Sequence, residues 1–109
     1  VLRVSAVYPN IEGSRFDGGY YVGRHTPFAR GLLEPLGLAE LRITLGVAAL
    51  DGAAPPYWAI SEMIFADRAA FDAAMAACGE ALFADAPHYT DVAPVLQLSE
   101  LADTPLGET

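Results

Sequence analysis

The sequence predicts an α+β fold in which a four-stranded antiparallel sheet carries both helices on one face. Three observations predict it. Apolar residues alternate with a period of two in three segments, and a fourth strand-length segment is apolar on both faces. Two segments with helical spacing, each opened by an aspartate, lie between the first and second strands and after the third. The order is therefore β-α-β-β-α-β, one strand–helix–strand unit used twice with little identity between the halves. Its natural solution is the ferredoxin-like arrangement.

Residues 1–8, VLRVSAVY, set Leu2, Val4, Ala6 and Tyr8 against Val1, Arg3, Ser5 and Val7, and read as the first strand. Pro9, Asn10, Gly13, Gly18 and Gly19 break the loop that follows. Asp17 stands where a carboxylate accepts from the free amides of a first helical turn. The first helix is expected over 18–36, ended by Gly37 in a left-handed cap. Pro27 is out of place inside it, at a cost of about 3 kcal/mol in a regular helix. It follows His25 by two residues, so a local kink or tightening that turns His25 toward a cavity is expected there.

The second strand is expected at 40–50, with Leu41, Ile43, Leu45 and Val47 on one side. The third, YWAISEMIFA at 57–66, is apolar on both faces apart from Ser61 and Glu62, as a twice-buried strand is. Asp67 caps the second helix, DRAAFDAAMAACG, where Phe71, Met75 and Cys78 recur at helical spacing. EALFADAPHYT reads as a short irregular or helical piece. It leads to the last strand, DVAPVLQLSE, in which Pro94 cannot donate to a ladder and so predicts an unpaired side. One domain is expected over 1–101, with 102–109 a tail swung onto a partner or disordered.

The 109 residues suffice for one modest core, although alanine supplies much of the 53% hydrophobic content. A net charge of −8 with six Lys and Arg disfavours nucleic acid and anionic membrane as partners. Cys78 is the one cysteine, so no internal disulfide forms, which fits the cytoplasm. No segment reads as a signal peptide or a membrane span. Metal-ligand spacing, a phosphate loop, a dinucleotide fingerprint and a Gly-x-Ser-x-Gly elbow are all missing, so neither metal nor cofactor is expected. Two helices cover one face of the sheet. Whichever face that is, the other keeps either Trp58, Ile60 and Ile64 or Tyr57, Met63 and Phe65. Such a patch predicts a homodimer through the open sheet face, with room for a small apolar ligand between sheet and helices or between sheets.

Four groups can carry chemistry. His25 shares a helix face with Tyr21, Phe28 and Leu32. Burial disfavours a charged imidazolium, and a neutral ring suits a general base; the plain reading is a core histidine bonded to a backbone carbonyl. Glu62 interrupts an apolar strand, in line with Trp58, Ile60 and Ile64. It either accepts a proton or orients His25, or it pairs with Arg3 or Arg42. Tyr89 and Asp91 stand before the last strand, where they either close the mouth of a pocket or form a turn, with Asp91 bonding nearby amides. Tyr21 either donates to a ligand oxygen or fills the core.

These residues also carry a resemblance. YP at Tyr8–Pro9, RFDGGYYVGRHTPFARGLLEPLGL, ISEMIFAD, FDAAM and ADAPHYTDVAPVLQLSE together resemble the EthD-like proteins of the dimeric α+β barrel superfamily, named for ethyl tert-butyl ether degradation. The Tyr-Tyr followed by His-x-Pro is the most specific piece. The resemblance implies a dimer whose facing sheets enclose a barrel-like interior, with a pocket lined by the first helix. His25 matches the family's helix histidine, and Glu62 and Asp91 fall at matching polar positions. Superfamily members include muconolactone-type isomerases, polyketide cyclases and decarboxylases, and haem-acting monooxygenases. The haem branch wants a more basic pocket than six cations provide.

Two functions from different classes follow. One is a cofactor-free enzyme that moves a proton on a small apolar carbonyl compound, with His25 as base, Glu62 as helper, and Tyr21, Trp58, Tyr89 and Asp91 around the substrate. The other is a non-catalytic ligand-binding or accessory protein of a degradation pathway. The enzyme needs His25 facing a cavity with a second polar group in reach, whereas the binding module needs only the cavity.

Overall fold

A computed structural model describes residues 1–102; the expectation for the tail lies, apart from Ala102, outside the described residues. Strands β1 (Leu2–Pro9), β2 (Glu40–Leu45), β3 (Tyr57–Phe65) and β4 (Val95–Glu100) form one antiparallel sheet in the order β2-β3-β1-β4. This is the ferredoxin-like topology. Helix α1 (18–36) joins β1 to β2, and α2 (Arg68–Ala84) joins β3 to β4. Asp17 accepts from the Tyr20 amide and Asp67 from the Ala70 amide, so both aspartates cap as expected. Gly37 takes φ +106° to end α1, a conformation costly for any residue with a Cβ.

Register decides which face the helices cover. Leu2 pairs with Phe65, Val4 with Met63 and Ala6 with Ser61, while on the other side Val4 pairs with Leu98 and Ala6 with Leu96. These side chains lie under the helices. The core has an aliphatic end built on Leu2, Val4, Leu33, Leu41 and Phe65. It also has an aromatic end built on Tyr8, Tyr21 and Tyr89. The open face keeps Val7, Ile60, Ile64 and Val95, interrupted by a charged row in which Arg3 meets Glu62 at 3.1 Å and Arg42 stands opposite Glu62.

Four local expectations are corrected. First, β2 stops at Leu45, because a Cβ on Gly46 would lie 2.2 Å from the Tyr57 carbonyl oxygen; the chain closes there and turns away. Val47 and Leu50 are consequently left in a fully exposed loop. Second, α2 runs through Gly79 to Ala84, since the good helix formers of EALFA outweigh one glycine. Third, β4 begins only after Pro94, whose missing donor delays the ladder.

The fourth correction concerns the middle of α1, which widens rather than tightens. One α-helical turn (Gly18–Tyr20) passes into a π-helical segment (Tyr21–His25), then α-helix (Thr26–Leu33) and a 3-10 turn (Glu34–Leu36). Pro27 has no N–H for the Gly23 carbonyl, and its ring crowds that oxygen. The helix responds with one extra residue. The Tyr21 carbonyl then accepts from the Thr26 amide five residues on, and from the Thr26 hydroxyl at 2.7 Å. The buried positions beyond this bulge shift by one, to Ala29 and Leu33, which leaves Phe28 exposed.

Candidate functional site

A cavity of about 80 Å³ lies between the sheet and the helix layer. The sheet contributes Ala6, Tyr8, Ile43 and Ser61, α1 contributes Tyr21 and His25, and α2 contributes Met75 and Phe83. The chain after α2 contributes Tyr89 and Pro94. The lining holds no Lys, Arg, Asp or Glu side chain. Volume on this scale admits several waters or a small organic fragment.

The π-bulge places His25 in this wall. Its ring stacks on Tyr21 at 5.4 Å and leans on Tyr89 at 4.8 Å. Nδ1 meets Asp85 Oδ2 at 2.8 Å. A carboxylate can only accept, so Nδ1 carries the proton of this bond. The other Asp85 oxygen accepts from the Tyr20 hydroxyl at 2.9 Å. Asp85 sits just past the end of α2, where its backbone N–H donates to the Leu82 carbonyl.

Burial pushes the Asp85 carboxyl up, but the hydrogen bonds from His25 and Tyr20 and the charges of His25 and His88 outweigh it, and the net shift is downward. The sign for stability follows from that direction. A depressed folded value means the contribution is complete above the unfolded value of 3.8 and drains away as pH falls through the folded value. Asp85→Asn should therefore cost stability at neutral pH by about 1–3 kcal/mol. The gap from wild type should close as pH falls below about 4. Urea midpoints across that range check it; a gap constant with pH would deny the ion pair its role.

The residues expected at the site are not all brought together. Tyr21, His25 and Tyr89 converge on the cavity. Glu62 does not join them: it points to the opposite face of the sheet, where Arg3 holds it, and the partner of His25 is Asp85 instead. Trp58 is the extra residue of a bulge between β1 and β3, because Tyr8 pairs with Ala59 and Pro9 with Tyr57. It stacks on Phe16 at 6.3 Å and donates its indole N–H to Ser14. Phe16 stands between it and the tyrosines. Asp91 is exposed and accepts from the Arg15 amide at 2.8 Å. With Thr90, whose hydroxyl donates to the Arg15 carbonyl, it clasps the loop before α1 and so fixes Tyr89.

Sequence reasoning missed Asp85, Tyr20, Tyr8 and Ser61 as members of the site. Tyr8 was readable as the last inward residue of β1. Asp85 carried no local signal, being one of fourteen acidic residues with its partner sixty positions away.

No protein-family model and no curated protein matches the chain. Solved structures do. A ferredoxin-like protein from Jannaschia sp. CCS1, described as dimeric, shares 20% identity and superposes with a TM-score of 0.55, covering 93% of this chain and 100% of that one; it shows the fold alone. An EthD family protein from Bacillus halodurans C-125 shares 23% identity at a TM-score of 0.73, covering 92% of this chain and 97% of its own. An EthD-like protein from Ralstonia eutropha JMP134 shares 36% identity at a TM-score of 0.87, covering 96% of this chain and 95% of that one. Identity at that level over nearly the full length of both chains means that this chain belongs to the EthD-like family.

Proposed function

We propose that the cavity binds a small apolar carbonyl compound and that His25 moves a proton on it without a cofactor. The observation that carries this is the Asp85–His25 pair at 2.8 Å in the wall of an otherwise uncharged cavity. A histidine that only filled the core would need no carboxylate behind it. In the reaction, Nε2 takes a proton from the carbon next to the carbonyl. The C–H electron pair becomes the enolate double bond, and negative charge moves to oxygen. The imidazolium, held by Asp85, then returns the proton to another carbon. An isomerisation or cyclisation of this kind needs a positioned base and a dry site.

The open sheet face supports a homodimer, since Val7, Ile60, Ile64 and Val95 lie there without cover and the Arg3–Glu62 row can meet its own copy about a two-fold axis. The Jannaschia protein, described as dimeric, has the same fold. Cys78, buried and free, fits a reducing compartment, and we place the protein in the cytoplasm. Among the described residues, no helix is long and apolar enough to cross a membrane. A part in the breakdown of small organic compounds belongs to the same reading.

The test follows the His25 ring by NMR over a pH titration, alone and with a panel of small lactones and ketones. The titration should move with at least one compound, and the Nδ1 proton should persist in the complex. Binding that leaves His25 unmoved would favour a non-catalytic carrier. A ring that titrates the same with every compound, none of them bound, would remove the proposal.

A further inference from the structure

The polar atoms of the cavity are nearly all hydroxyls. Tyr8 and Tyr89 share a hydrogen bond at 2.8 Å. Tyr21 and Ser61 line the same cavity. The rings hold each other: Tyr8 is edge-on to Tyr21 at 5.4 Å and to Tyr89 at 5.9 Å, and Tyr21 leans on Tyr89 at 4.8 Å. Two hydroxyls joined by one link use one of their two protons in it. However that link is directed, the other proton is left for a ligand. The pair lies beside His25, whose ring is 4.8 Å from the Tyr89 ring.

We propose that the Tyr8–Tyr89 hydroxyl pair binds the ligand's oxygen, so that the ligand is a neutral phenol or enolisable ketone and not a carboxylate. The inference rests on the reading above and names its substrate class. Two further facts support it. The lining has no cation to replace the hydration a carboxylate would lose, and the whole chain carries −8. Burial, first of all, also raises the phenols: Tyr89 is pushed up to about 12, and Tyr8 and Tyr21 higher. They therefore remain protonated donors throughout the working range. Donors aimed at a developing enolate oxygen contribute to turnover as well as to binding.

The experiment compares phenol, toluene and benzoate, and cyclohexanone with cyclohexanecarboxylate, by NMR titration of wild type, Tyr8→Phe and Tyr89→Phe. Phenol and cyclohexanone should bind, each carboxylate at least about tenfold more weakly. Tyr89→Phe should weaken phenol about tenfold while leaving toluene unchanged. Unchanged toluene binding shows that the cavity survives the substitution. Equal losses for phenol and toluene, carboxylates binding as well as neutral ligands, or no binding of any compound would overturn the oxygen site. The two readings fail separately. A phenol preference with a silent His25 removes the base and keeps the oxygen site. A responsive His25 with no preference between phenol and toluene does the reverse.

Discussion

Truncating Phe65 to alanine should cost about 3–5 kcal/mol, read as a lower urea midpoint at unchanged slope. Phe65 is fully buried on β3, a central strand of the sheet. Its ring meets Phe71 edge-on at 5.5 Å, and Leu2 stands opposite in the ladder. Removing it takes apolar area from the aliphatic end of the core and leaves a void between the middle of the sheet and α2. β3 is held by hydrogen bonds to β1 and β2 on its two sides, so the space cannot close by local collapse. For a domain of this size the loss is a fifth or more of a typical total of about 5–15 kcal/mol. Phe65 does not line the cavity, and the tyrosines belong to the other end of the core. Ligand affinity of the folded fraction should therefore stay close to wild type. A loss below about 1 kcal/mol would mean that the inner face of β3 repacks freely. A large fall in affinity would mean that the two ends of the core act as one.

The global architecture was legible because it depends on patterns that survive any detail of packing. Period-two alternation located three strands and a run apolar on both faces the remaining one, and Asp17 and Asp67 located both helix starts. The ends of elements were less legible, because they are set by contacts between distant residues. Gly46 ends β2 because Tyr57 and Pro55 occupy the space of its missing side chain. Nothing near residue 46 announces this. The site was legible by half for a similar reason. His25, Tyr21 and Tyr89 could be read as ring-bearing residues at inward positions. Asp85 could not, since its role comes from a fold that brings the end of α2 against the middle of α1. Glu62 was drawn toward the site by the expense of a carboxylate in an apolar strand. That expense is met on the open face by Arg3, which the sequence also offered. The helix face was misread from Phe28 onward because a strict helical period assumes no extra residue, and Pro27 imposes one.

That extra residue suggests an experiment on the site itself. Deleting Gly23 together with Pro27→Ala should turn the middle of α1 into regular α-helix, keep the fold, and abolish every ligand-linked response at position 25. Beyond the bulge, the buried residues are Thr26, Ala29 and Leu33. With one residue removed they fall four, seven and eleven positions after Tyr21, a continuous apolar face of a regular helix. The core contacts of α1 are thus retained. Gly23 is a tolerant place for the deletion, because no other part of the chain lies within 4 Å of where its Cβ would be. Replacing Pro27 restores a donor to the ladder and removes the ring that crowds it. Only His25 loses its place, since the position facing the cavity passes to Thr26 and Asp85 is left without its imidazole. Thermal stability should match or exceed wild type, while the Nδ1 proton signal and the ligand-linked shifts vanish. The widened turn would then be a strained feature kept for function, its cost falling on a helix that could do without it. If the doubly altered chain instead unfolds, the bulge is needed to seat α1 on the sheet. The position of His25 would then be a consequence of packing, and the case for His25 as a base would rest on its bond to Asp85 alone.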